Sequence, residues 1–255
     1  MPLTSAPLSN VKLIHPDFHT ETELINLSSY NYLGIATRKE VIESAKEALD
    51  NYGLGASGSP ILSGTFQIGI VFAKQLAEFK KKEAAIIFPT GYSTNLGFIS
   101  AIMRPGDTIL LDQFAHASIV DGAILSRAEI VYFKHNNSLD LEKKISTIKG
   151  RKLIVVEGVY SMDGDMCPLD SIVTVAKKYD AKIMLDEAHS AFIFGKNGRG
   201  IAELYGLEDQ IDFHMGTFSK SLGGIGGYIC GSKEVINYVN AYARSRFFSC
   251  NVPPT

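Results

Sequence analysis

A lysine, Lys220, stands among glycines and hydroxyls in Gly216-Thr-Phe-Ser-Lys-Ser-Leu-Gly-Gly. Ahead of it an apolar run closes on a carboxylate, Ile183-Met-Leu-Asp186, with His189 three residues on. A lysine amine can condense with an aldehyde, and small neighbours let the backbone approach a ligand closely. A carboxylate ending a buried strand is costly unless a cationic group meets it. Upstream, Thr90-Gly91-Tyr92 falls between an apolar run and a helical pattern. The first amides of that helix could bind a phosphate dianion, helped by the helix dipole. Pyridoxal phosphate (PLP) requires a lysine for its aldehyde, an acid facing its ring nitrogen and donors around its phosphate. Lys220, Asp186 and the hydroxyls and amides of Thr90–Tyr92 and Thr217–Ser219 can supply all three. Singly, each has a plainer use: Lys220 as a loop lysine, Asp186 as a helix N-cap, Thr90 in a capped turn. His116, in Ala115-His-Ala-Ser118, stands just after a strand, where an imidazole could stack on a cofactor ring.

Other patterns carry less. Gly53-Leu-Gly-Ala-Ser-Gly58 matches a dinucleotide fingerprint but follows a helical pattern instead of a strand. Asp186-Glu-Ala-His189 spells a helicase box, yet no complete phosphate loop accompanies it. Lys80-Lys81-Lys82 reads as a solvated helix end.

From Ala84 onward, short β-branched runs alternate with helical patterns. The expected strands are Ala85–Phe88, Thr108–Leu111, Glu129–Phe133, Leu153–Glu157, Lys182–Asp186, Ile211–Met215 and Gly227–Cys230. Helices are expected at Tyr92–Met103, Ser118–Ser126, Asp140–Ile148 and Leu169–Tyr179. This alternation predicts an α/β fold with a mainly parallel seven-stranded sheet between helices. Ligands of such sheets bind outside the carboxyl ends of the strands. Thr90, His116, Ser161, Asp186 with His189, and Thr217 with Lys220 all fall there. The earlier segment reads as an arm and loop: an entry strand near Leu24–Leu27, a turn at Ser29–Gly34, a helix near Lys39–Asn51 and a Gly-rich stretch. The expected division is 1–52 for an arm and helix and 53–255 for a large cofactor-binding domain.

The 255 residues are 45% hydrophobic, enough for a sizeable core. With 25 basic and 27 acidic residues and a net charge of -2, no nucleic-acid footprint appears. Three cysteines lack metal-ligand spacing, so no metal is expected, and free thiols suit a reducing compartment. No export signal and no membrane-spanning run is read, which makes the cytoplasm the expected location.

Several motifs occur in a fixed order: Asn31-Tyr-Leu-Gly34, Ser63-Gly-Thr65, Thr90-Gly-Tyr92, His116-Ala-Ser-Ile119, Ser161-Met-Asp-Gly-Asp165, Asp186-Glu-Ala-His189 and Gly216-Thr-Phe-Ser-Lys220. The combination resembles the α-oxoamine synthases, fold-type-I PLP-dependent transferases, and looks nearest to the bacterial serine palmitoyltransferase branch. The resemblance runs from about Leu24 to Pro254. It implies decarboxylative condensation of an amino acid with an acyl-CoA thioester, in sphingolipid or biotin-type biosynthesis. It also implies a homodimer with its active site at the interface.

By the same resemblance Lys220 holds the cofactor and then acts as base, Asp186 keeps the ring nitrogen protonated, and His116 stacks on the ring. His189 and Ser161 orient the phenolic oxygen. Thr90, Gly91, Tyr92, Thr217 and Ser219 surround the phosphate, and Ser249 reaches the phosphate in the partner's site. Asn31 lies near the substrate carboxylate. Gly58-Ser-Pro60 and Gly69 depart from the family's usual Gly-Ser-Arg and histidine, which bears on how acyl-CoA is held. The sequence stops at Thr255, where family members continue into a small C-terminal domain with an arginine for the substrate carboxylate. The alternatives are another PLP reaction on this scaffold, aldol cleavage or aminotransfer, and a non-catalytic partner subunit. Such subunits typically lack the lysine.

Overall fold

Alternate residues of the central strands go to opposite layers. In Lys152–Glu157, Leu153 and Val155 join one apolar core while Ile154 and Val156 join the other. This is how a strand covered on both faces uses its two-residue period. A computed structural model describes residues 2–255.

An exposed hairpin of β1 (Asn10–Ile14) and β2 (Glu21–Ile25) opens the chain, followed by α1 (Lys39–Tyr52) and α2 (Gln67–Phe79). The sheet and its helices follow as β3 (Ala84–Phe88), α3 (Gly91–Ile102), β4 (Thr108–Asp112), α4 (Ala117–Ser126) and β5 (Glu129–Phe133). Next come α5 (Ser138–Ile145), β6 (Lys152–Glu157), α6 (Leu169–Lys178), β7 (Lys182–Asp186) and the short α7 (Ile201–Leu204). The chain closes with β8 (Phe213–Thr217), β9 (Gly227–Gly231), α8 (Lys233–Tyr242) and the short α9 (Arg244–Phe247).

The expected α/β architecture is found. Seven strands lie in the order β3-β9-β8-β7-β6-β4-β5, and β9 alone runs against the rest. The order reverses direction between β4 and β6, so the connections that leave their carboxyl ends run to opposite faces of the sheet, which leaves a crevice between them. One core packs the sheet against α3, α4 and α8, and the other packs it against α5, α6 and α7. A third cluster puts Leu76 of α2 against Phe218, Tyr228 and Cys230.

Three details depart from the sequence reading. The strand expected at Ile211–Met215 begins two residues later, at Phe213, because Glu208–Gln210 form a 3-10 turn just before it. The arm is a two-stranded hairpin instead of one strand, and a full helix, α2, occupies part of the expected loop region. No helix among the described residues is long and apolar enough to cross a membrane.

Candidate active site

Three adjacent strands, β4, β6 and β7, each end in a buried carboxylate: Asp112, Glu157 and Asp186. Asp112 is fully satisfied, accepting from the Phe114 and Asn136 amides at 2.9 and 2.8 Å and paired with His135 Nδ1 at 2.9 Å. Asp186 is 4% exposed and makes no ion pair among the described residues. Its Oδ1 accepts from the Ala188 amide at 2.9 Å and its Oδ2 from Asn95 Nδ2 at 2.8 Å. A buried carboxylate held only by neutral donors retains the capacity to take a cation. Glu157, beside Asp186 in the register of β6 and β7, accepts only from the His116 amide, at 2.6 Å. Burial, then the charge of Asp186, pushes Glu157 up to about 8.

Lys220, beyond β8, turns back towards these strand ends, and its Nζ is hydrogen-bonded to His189 Nε2. Burial pushes its amine below the ordinary lysine range, opposed by the charges of Asp186 and Glu157. His189 is pushed down to about 4 by burial and then by Lys220 and His116, so it is neutral near pH 7. Its Nδ1 lies 2.8 Å from the Tyr32 hydroxyl.

His116 caps α4, its side chain accepting from the Ser118 amide, and is exposed at the strand ends. A chain of hydrogen bonds ties it to Asp186: His116 Nδ1 to Ser118 Oγ at 2.7 Å, then Asn95 Nδ2 to Ser118 Oγ at 2.9 Å and to Asp186. The Tyr92 ring stands edge-on to His116, centroids 6.3 Å apart, and its hydroxyl donates to Asp121.

The N-terminus of α3 faces Thr217. A Cβ added at Gly91 would lie 3.1 Å from Thr217 Cβ, a contact tight enough to favour glycine. Thr90 closes a capping box with Ser93, and the Gly91 and Tyr92 amides make no hydrogen bond to the described residues. Thr217 Oγ1 lies 2.9 Å from Ser219 Oγ. Free amides at a helix end beside two hydroxyls form a donor set suited to a phosphate.

The structure therefore brings Asp186, His189, Lys220 and His116 to one end of the sheet, with Thr90, Gly91, Tyr92, Thr217 and Ser219 alongside. Three of the expected residues stand apart from that hydrogen-bonded group. Ser161 is exposed beside Phe114 and Tyr160, and no hydrogen bond among the described residues joins it to Asp186 or His189. Asn31 uses its side chain within the arm, accepting from the Ala36 amide and donating to Pro7 O at 3.3 Å each. Ser249 makes no side-chain hydrogen bond among the described residues.

Lys80 overturns its reading as a solvated helix end. It is 1% exposed and donates to Glu187 and to Arg199 O. His214 Nδ1 meets the same carboxylate at 2.9 Å. Burial opposes the charge on Glu187, yet Lys80 and His214 hold it down at about 2. Burial keeps His214 below its ordinary range, hence neutral. Gly200, at φ +101, closes the cluster, since a Cβ there would fall 2.1 Å from Glu187 Oε1.

Sequence reading missed Glu157, Asn95, Ser118 and Tyr32 as parts of the site. One signal was present: Leu153-Ile-Val-Val-Glu157 ends an apolar strand in a carboxylate just as Ile183-Met-Leu-Asp186 does.

The chain belongs to the aminotransferase class I and II family, whose model matches residues 22–255. Within that class it is 45% identical to an 8-amino-7-oxononanoate synthase of Lysinibacillus sphaericus, over 89% of this chain and 59% of the relative. It is 44% identical to a serine palmitoyltransferase of Sphingomonas paucimobilis, over 91% of this chain and 56% of that one. Among solved structures, a Sphingomonas wittichii serine palmitoyltransferase superposes with a TM-score of 0.89 at 44% identity, covering 91% of this chain and 59% of the other. One from S. paucimobilis with a bound PLP–myriocin aldimine gives 0.92 at 41%, covering 98% and 62%. The chain thus spans about 60% of the length of the proteins it matches.

Proposed function

We propose that this chain is the cofactor-binding part of a PLP-dependent acyltransferase of the α-oxoamine synthase type, condensing an amino acid with an acyl-CoA thioester and releasing CoA and CO2. The observation that carries this reading is the meeting of Lys220 with His189 beside Asp186, a buried carboxylate without an ion-pair partner. The 44–45% identity to an 8-amino-7-oxononanoate synthase and a serine palmitoyltransferase supports it. Residues 53–255 form the cofactor-binding domain in this reading, and 1–52 the arm.

The donor set fits the cofactor. PLP, when bound, supplies an electron sink for the negative charge that develops at the substrate Cα. Asp186, anchored by Asn95 and Ala188, holds the proton on the ring nitrogen. Lys220 is the residue that would hold the aldehyde group of PLP, and its amine would take the proton from the substrate Cα. Its partial burial lowers its basicity towards the working pH, which favours that exchange. The Gly91 and Tyr92 amides, with Thr90, Thr217 and Ser219, hold the phosphate. His116, fixed by Glu157 and Ser118, would stack on the cofactor ring, and His189 with Ser161 would orient its phenolic oxygen. Asn31 receives the substrate carboxylate. The working unit is a homodimer in which Ser249 reaches the phosphate in the partner's site. The compartment is the cytoplasm, in keeping with free Cys167, Cys230 and Cys250.

Borohydride reduction of the purified chain with PLP tests this reading. The expected product is a peptide carrying the cofactor on Lys220, found by mass spectrometry and absent from Lys220→Ala. A reducible chromophore retained in Lys220→Ala overturns the assignment. Release of CoA from acyl-CoA with serine, glycine or alanine distinguishes condensation from other PLP reactions.

A further inference from the structure

Another histidine stands outside the groups assigned to the cofactor. His135, two residues past β5, sets Nδ1 2.9 Å from Asp112 Oδ1 at the end of β4, and Nε2 2.8 Å from Asp165 Oδ2 in the loop after β6. Its ring is stacked on Phe114, centroids 4.4 Å apart, and meets the Tyr160 ring edge-on at 4.5 Å. Asn136 strengthens both links: its amide donates to Asp112 Oδ2 and its Nδ2 to Asp165 Oδ2, at 2.8 Å each. Because β4 lies between β5 and β6, this bridge ties three strand ends together.

The partners fix the charge of the ring. Asp112 also accepts from the Phe114 and Asn136 amides, and Asp165 accepts from Asn136, so both carboxylates act as acceptors. A neutral imidazole has one N–H and would turn a lone pair towards one of them, whereas an imidazolium donates to both. Burial opposes that charge, yet the hydrogen bonds to Asp112 and Asp165 and their charges hold His135 above its ordinary range. The other titratable groups around the cluster are Tyr160, Cys167 and Glu157, each raised by burial and by the charge of Asp112. The loop has few other ties. Beyond its own turn, residues 158–167, the segment 161–166 is hydrogen-bonded only to His135 and Asn136 among the described residues. Ser161 stands on this loop, lining a cleft of about 270 Å3 with Phe114, Tyr160, Met162 and Asp163.

We propose that His135, as an imidazolium, is a positioning residue: it pins the loop carrying Ser161 to the ends of β4 and β5 and acts on the cofactor through that serine. The place of Ser161 follows from its loop, and that of the loop from Asp165. Loss of the ring's second proton leaves one carboxylate facing a lone pair and loosens the pin. Since the folded ring titrates above its ordinary 6.5, the pin is complete below that pH and weakens as pH rises through the folded value. His135, Asp112 and Asp165 hold no part of PLP in the proposed function, so the pin persists when the cofactor is bound. The step from loop to cofactor rests on the role given there to Ser161, whereas the pin itself can be tested without PLP.

The test begins with cofactor-free protein labelled with 15N in its histidine side chains. Both His135 nitrogens are expected to carry protons at pH 6, and Asp165→Asn is expected to bring the titration midpoint of the ring down by roughly one pH unit. A ring mostly neutral at pH 6 overturns the proposal. Deuterium exchange of the amides of residues 161–166 is expected to quicken roughly tenfold in His135→Gln and less in Asp165→Asn. Unchanged exchange in both variants also overturns it. PLP affinity then tests the link to Ser161. His135→Gln and Ser161→Ala are each expected to weaken binding about tenfold, and the double variant no more than the weaker-binding single one. Losses that multiply in the double variant, or none in Ser161→Ala, refute action through Ser161. If His135→Gln does not fold, Asp165→Asn takes its place in the cycle. Failure of wild-type protein to fix PLP on Lys220 would count against the proposed function, while the ring titration and amide exchange still decide the pin.

Discussion

Asp186 and Glu187 are neighbours in sequence and opposites in environment. Asp186 opens onto the strand-end crevice, and its carboxylate accepts hydrogen bonds only from an amide and an asparagine, with no salt bridge among the described residues. Glu187 turns behind the sheet, where Lys80, His214 and the Ala202 amide surround it. Both are nearly inaccessible, so burial alone does not separate them. The difference lies in compensation. A carboxylate whose charge is matched from within the chain contributes to the fold, whereas one left without a cation keeps its capacity for a ligand.

This contrast should be sharpest in stability. Lys80→Met leaves Glu187 buried without its cation and is expected to cost about 3–5 kcal/mol of unfolding free energy, read from urea titration. Replacing Glu187 by Leu in the same chain should recover much of that loss, since no uncompensated charge remains. A loss below about 1 kcal/mol in the single variant would show that the cluster is not what holds the end of β7.

On the crevice side the cost should fall on chemistry. Asp186→Asn keeps the hydrogen bond from Ala188 but no longer holds a ring-nitrogen proton. Turnover is expected to drop by roughly 100-fold or more while PLP still binds, more weakly. Equal turnover in the two proteins would remove Asp186 from that role.

Glu157 separates the two regions by pH. Its folded carboxyl titrates near 8, against an ordinary value of 4.5, so the folded state binds more protons between those limits. Stability from this group is therefore fully present below about pH 4.5, falls as pH rises towards 8 and levels off beyond. The slope is about 1.4 kcal/mol per pH unit at most. Glu157→Gln imitates the protonated form, and its urea midpoint should decline less than that of wild type between pH 5 and pH 8. Parallel profiles would show that Glu157 is already ionised when folded.

Much of the fold was legible because its signals are local. Apolar runs of four to six residues separated by helical periods mark the sheet, and they place Asp186, Thr217 and Lys220 at strand ends from side-chain pattern alone. The hairpin β1–β2 was harder, since β2 is exposed throughout and carries no buried alternation. Lys80 was misread for a related reason: within Lys80-Lys81-Lys82 nothing local distinguishes the lysine that turns inward.

The sequence by itself determined the order of the strands along the chain, the residues that end them and the chemistry those residues can perform, because each follows from side-chain type and short-range period. Only the tertiary structure decided which charges meet. Lys80 reaches Glu187 across 107 residues and Tyr32 reaches His189 across 157, distances over which no periodicity carries information. The folded sheet and the docked arm set those pairings. They also set whether a carboxylate is satisfied within the chain, as at Glu187, or lacks a cationic partner, as at Asp186.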